Sequence, residues 1–172
     1  IGKYAFSGCS SLKEVTLPEG VKNIPDGCFN GCESLEKVIF PIGLESIGWS
    51  AFNNCISLKS AELPFGLLSI GNYAFYSCES LKNFTVPMSV TTLGSFTFGG
   101  CTSLEEITLP FVGSQRSSDG TDESVFGYIF GYQGLFTGDI FFSIFTFFVR
   151  NFVMICYNNC HPQFFSIRNL LE

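Results

Sequence analysis

The residues best able to do chemistry lie near the C-terminus, in YNNCHPQ, where the chain's only histidine, His161, follows Cys156 and Cys160. Thiolates beside an imidazole are the raw material of a zinc corner or of a nucleophile with its base. The spacing C-x-x-x-C-H does not match the two-residue spacing of zinc-ligand pairs, has no second ligand pair to complete it, and misses the haem-attachment pattern by one residue. Incidental residues are the simpler reading. The glycines fit neither the phosphate loop nor the dinucleotide fingerprint. Glu14, Glu62 and Glu106 recur in phase with a repeat, which marks them as solvated strand positions rather than an acid–base pair. Asn83-Phe84-Thr85 is an N-glycosylation acceptor only in a secreting eukaryote; elsewhere Asn83 is an outward strand residue. The sequence therefore predicts no catalytic residue, no metal and no cofactor.

The other cysteines lead from chemistry to architecture. Cys9, Cys32, Cys55, Cys78 and Cys101 are spaced by 23 residues, and so are Phe6, Phe29, Phe52, Phe75 and Phe98. Leu12, Leu35, Leu58, Leu81 and Leu104 repeat likewise, as do Pro18, Pro41, Pro64, Pro87 and Pro110. A fixed period in this range signals stacked units, none of which buries its apolar face alone. Equivalent positions then form columns. The cysteine column is read as free thiols acting as small fillers, because side chains pointing the same way lack the converging Cβ vectors of a disulfide. Cys28 takes the place of Ala5, Ala51, Ala74 and Thr97, a tight site.

Each unit must fold back to its own start. Apolar residues two apart before each proline, such as Val38 and Phe40, predict a short strand with Lys37 and Ile39 outward, ended by a residue with no N–H to donate. A turn follows, with Gly20, Gly43, Gly66 or Ser89. A second apolar pair, such as Leu44 with Ile47, predicts another short extended segment, and Gly48, Gly71 or Gly94 a sharp bend after it. The last third, Tyr73 to Cys78 for instance, is predicted as one helical or 3₁₀ turn.

The unit AFxxCxSLxxxxLPxxVxxIG resembles the leucine-rich repeat of the BspA-like, or treponemal, type. The resemblance covers residues 1–110 and implies a leucine-rich repeat solenoid with parallel β-strands, a second short strand and a short helical or 3₁₀ turn per repeat. It also implies a surface protein of the attachment and aggregation kind, binding a protein partner. From Leu109 the sequence is similar to an insertion carried by some arrays of this family.

Three segments are expected: the array at 1–110, a polar inserted loop at 111–134 and a Phe-rich tail at 135–172. The apolar run Ile140 to Val149 is shorter than the roughly 20 residues of a membrane helix. The tail stays open between a cap of extra strands, an anchor, and a non-native end produced by a frame shift or gene end. The chain opens at Ile1 inside a repeat, without Met or a signal pattern, which predicts a piece of a longer array. With a net charge of -6 and a pI near 4.7, nucleic acid and anionic membrane are disfavoured as partners.

What remains for function is surface. The outward columns of the main sheet are predicted as Glu14, Lys37, Ser60, Asn83 and Glu106 in one file, and Thr16, Ile39, Glu62, Thr85 and Thr108 in the other. They are the candidate binding residues, although cross-strand pairs such as Glu14 with Lys37 or Glu36 with Lys59 also suit a purely solvated face. No aromatic stripe runs along these columns. A spacer without its own ligand is the competing expectation.

Overall fold

The computed structural model describes residues 1–110, Ile129 and the strand Val153–Cys156. Residues 1–110 wind into successive coils of 23 residues, each with three sides. On the first side lie β1 (Glu14–Thr16), β3 (Lys37–Ile39), β5 (Ser60–Ala61), β7 (Asn83–Thr85) and β9 (Glu106–Leu109). The second side carries β2 (Asn23–Ile24), β4 (Ser46–Ile47), β6 (Ser69–Ile70) and β8 (Thr92–Leu93). Pairing along the array is parallel, with Lys37 opposite Glu14 and Ile47 opposite Ile24, so the register equals the sequence period. A slip by one residue would turn the inner side chains outward, which is why the register is fixed.

The second-side sheet runs without a break in the order β2-β4-β6-β8, whereas the first side divides into β1-β3-β5 and β7-β9-β10. That division coincides with the largest step in side-chain size along the inner column Val15, Val38, Ala61, Phe84, Ile107. Phe84 inserts its ring edgewise against Phe75 and Phe98, at centroid distances of 4.9 and 4.8 Å. The final strand, β10 (Val153–Cys156), lies parallel to β9 with Val153 opposite Glu106.

The expected columns fill the interior. Phe6, Phe29, Phe52, Phe75 and Phe98 stack with nearly parallel ring planes, their centroids 5.2, 5.3, 5.3 and 6.0 Å apart. Leu35, Leu58 and Leu81 are wholly buried beside them, as are Leu44, Leu67 and Val90 from the corner between the two sheets. Burial of each such side chain contributes about 1.5–3 kcal/mol, and the offset aromatic pairs add to it.

The third side differs from the expected helical turn. No helical turn forms there in residues 1–110; the chain makes consecutive β-turns instead, closed by bonds such as Ala74 N–H to Gly71 O and Tyr76 N–H to Tyr73 O. Two residues per coil take the left-handed conformation. One file is Tyr4, Gly27, Ser50, Tyr73 and Phe96, with φ between 51° and 59°; the other is Gly8, Gly31, Asn54, Ser77 and Gly100, with φ between 55° and 73°. These left-handed residues turn alternate N–H groups along the array axis. Ser50, Phe52 and Asn54 thus donate to the carbonyls of Asn72, Ala74 and Tyr76 in the next coil, at 2.9, 2.8 and 2.8 Å. A left-handed non-glycine residue costs about 1–2 kcal/mol, and the inter-coil bonds on this side offset that cost.

Candidate interaction surfaces

The first side places the two predicted files as expected. Glu14, Lys37, Ser60, Asn83 and Glu106 are exposed, as are Thr16, Ile39, Glu62 and Thr85, while Thr108 is half-buried. Beside them runs a ladder of ion pairs spanning neighbouring coils. Glu36 meets Lys59 at 2.5 Å and Glu105 meets Lys82 at 3.4 Å. The Lys59 ammonium, bonded to the Glu36 carboxylate, holds that carboxyl below its ordinary range. Glu14 and Lys37 face each other in the strand register but form no ion pair among the described residues, so both remain available to a partner.

Sequence reading missed an apolar ridge at the corner after each proline. Ile42 and Phe65 occupy equivalent positions in neighbouring coils and are 82% and 88% exposed, with Leu68 half-exposed nearby. The signal is present in the sequence, since Glu19, Ile42, Phe65 and Met88 share one file, although the adjacent glycines alone mark the turn. Ile39, also exposed, closes the strand just before this corner.

The cysteine column is more than filler. From the second coil onward each thiol of the column donates to the carbonyl of the phenylalanine one coil earlier: Cys32 to Phe6 at 3.1 Å, Cys55 to Phe29 at 3.2 Å, Cys78 to Phe52 at 3.3 Å and Cys101 to Phe75 at 3.2 Å. Burial raises these thiols, Cys32 to about 11 and Cys101 to about 12, so they stay protonated and unreactive. Cys9, Cys28, Cys32, Cys55, Cys78 and Cys101 are free, and Cys9 is exposed. Among the described residues no group of three or more His, Cys, Asp or Glu side chains is arranged to hold a metal ion. Cys160 and His161 of the zinc-corner pattern lie outside them, as do the predicted loop and most of the tail.

Columns of Leu, Phe and Cys recurring every 23 residues line the interior of these coils. Residues 1–117 match the BspA type leucine rich repeat region, in six copies. The chain belongs to the BspA-type leucine-rich repeat family. Among solved structures, this BspA-type array is similar to a T. pallidum leucine rich repeat protein, TpLRR, with 39% identity and a TM-score of 0.63 over 64% of this chain and 51% of that one. It is also similar to a leucine-rich repeat protein from Bacteroides ovatus ATCC 8483, with 33% identity and a TM-score of 0.58 over 64% of this chain and 34% of that one. The BspA-type array thus spans about half the length of the treponemal protein and a third of the Bacteroides one. No curated protein matches significantly. Among the described residues no helix is long and apolar enough to cross a membrane.

Proposed function

We propose that this chain is a non-catalytic protein-interaction module of a larger surface adhesion protein, engaging a host or neighbouring-cell protein. The observation that carries the reading is the first side itself. Nine of its ten outward residues in the two files are exposed, from Glu14 to Glu106, on strands whose in-register pairing spares them any ordering on contact. The exposed Ile39, Ile42 and Phe65 give this face an apolar edge of the kind that anchors protein interfaces. Glu62, unpaired among the described residues, adds a charge at its rim. Family membership supports an interaction scaffold, and a surface location is part of the proposal. The polar segment 111–134 is proposed as a second element of the same module, and residues 135–172, which include β10, as a cap on the end of the array.

The test is attachment to immobilised matrix proteins and to host cells. The triple variant Glu14→Lys, Lys37→Glu, Glu62→Lys loses attachment while its circular dichroism and urea midpoint stay those of the parent. Unchanged attachment by the folded variant would instead assign the chain the role of a spacer.

A further inference from the structure

The third side of coils three to five has a chemistry that the other two sides lack. Residues 48–55, 71–78 and 94–101 contain no Asp, Glu, Lys or Arg. They present aromatic rings instead. Trp49 is exposed, and Tyr73, Tyr76 and Phe96 are half-buried. Tyr73 stacks on Phe96 at 4.9 Å and leans on Tyr76 at 5.6 Å, fixing three rings as one body. Amides and hydroxyls are interleaved with them. Asn54 and Asn72 are exposed, and the Asn72 Oδ1 accepts the Ser95 N–H at 2.9 Å, which holds that side chain in place and leaves its amide nitrogen to donate outward. Two further polar atoms beneath this side, Ser50 Oγ and Asn53 Oδ1, are buried without a partner among the described residues.

We infer that this side is a second binding surface, for a neutral oligosaccharide. Pyranose rings offer apolar C–H faces to aromatic rings and hydroxyls to amides and hydroxyls, the two kinds of group found here. The missing charge selects among ligands. An anionic glycan requires cations, and the nearest pair on this side, Lys3 with Asp26, is already mutually satisfied at 2.7 Å. A protein partner is better served by the charged first side. The left-handed backbone of Tyr73 and Phe96, with the Tyr73 N–H donated to the Ser95 carbonyl of the next coil at 2.9 Å, holds the rings in position before any ligand arrives.

Trp49 is the only tryptophan in the chain, so its emission reports on this surface directly. The intact chain is titrated to millimolar concentration with neutral hexasaccharides of glucose, mannose, galactose and N-acetylglucosamine, with heparin as the anionic comparison. A saturable change with at least one neutral hexasaccharide, insensitive to added salt, is expected. Tyr76→Ala weakens it by about tenfold or more with an unchanged circular dichroism spectrum. Asn72→Asp keeps the acceptor for Ser95 while removing the amide donor, and weakens it as well. A flat titration with all four sugars overturns the inference, as does a response to heparin alone, a response equal in both variants, or quenching of Trp49 by matrix protein but by no sugar.

Discussion

The Cys55 thiol lies 3.2 Å from the carbonyl oxygen of Phe29, the same oxygen that accepts the Cys32 N–H at 3.1 Å. One acceptor thereby joins two coils, and the arrangement recurs at Phe52, which takes the Cys78 thiol and the Cys55 N–H. The cysteine column is a set of inter-coil bonds as well as a set of fillers.

Cys55→Ala removes that donor and opens a small void in a wholly buried site. The expected cost is about 1–2 kcal/mol, read as a lower urea midpoint with an unchanged slope. A loss near zero would show that the thiol bond contributes nothing net.

The same burial sets a pH dependence. Folded Cys32 and Cys101 ionise near 11 and 12, against an ordinary value of 9.0. Above pH 9 the unfolded chain loses thiol protons that the folded chain keeps, so stability is fully present below about pH 9 and falls as pH rises toward the folded values. Each such thiol adds about 1.4 kcal/mol per pH unit to that fall. Urea midpoints measured on either side of pH 9 check the slope, and peptide mapping after alkylation near pH 8 should find Cys9 modified and Cys32, Cys55 and Cys78 protected.

Gly71→Ala and Gly43→Ala should move stability in opposite directions. A Cβ on Gly71 would stand 2.7 Å from the Gly48 carbonyl carbon and the Trp49 nitrogen, backbone atoms of the preceding coil, whereas a Cβ on Gly43 meets nothing within 4 Å. The first substitution forces the coils apart at a cost of about 1–3 kcal/mol. The second reduces the freedom of the unfolded chain and gains about 0.4–1 kcal/mol. Thermal unfolding of both variants decides the matter.

Phe52→Ala should cost about 3–5 kcal/mol. Its ring stacks on Phe29 and Phe75 and receives the edge of Phe40 at 5.8 Å, so the loss reaches both neighbouring coils. Hydrogen exchange in the variant should quicken at Phe29 and Phe75 as well as at residue 52.

The strands, their register and the interior columns were legible in the sequence because a strand's alternation and a 23-residue period are both written in side-chain type. Val38 inward and Lys37 outward needed no further information. The third side was not legible. Phe75 and Cys78, three apart, suit a helical turn and a β-turn equally well, and the left-handed residues that decide between them include Tyr4, Tyr73 and Phe96, types that ordinarily avoid that conformation. Glycines stand at only some of these positions, Gly8, Gly27, Gly31 and Gly100, and at Gly27 the absent side chain makes room for the Tyr4 ring. The aromatic surface of that side was equally illegible: the sheet columns carry no aromatic stripe, whereas Tyr73 and Phe96 stack around the corner from them. The thiol bonds went unseen because the composition of a column does not reveal which way its donors point.

The directional backbone of the third side gives the array unlike ends. Ser50, Phe52 and Asn54 all donate toward higher-numbered coils, so a terminal coil at the low end offers a row of acceptors and one at the high end a row of donors. Two low ends brought face to face would set carbonyl against carbonyl. Any lengthening of the rod must therefore be head-to-tail, a polarity imposed by the main chain and indifferent to which side chains decorate it.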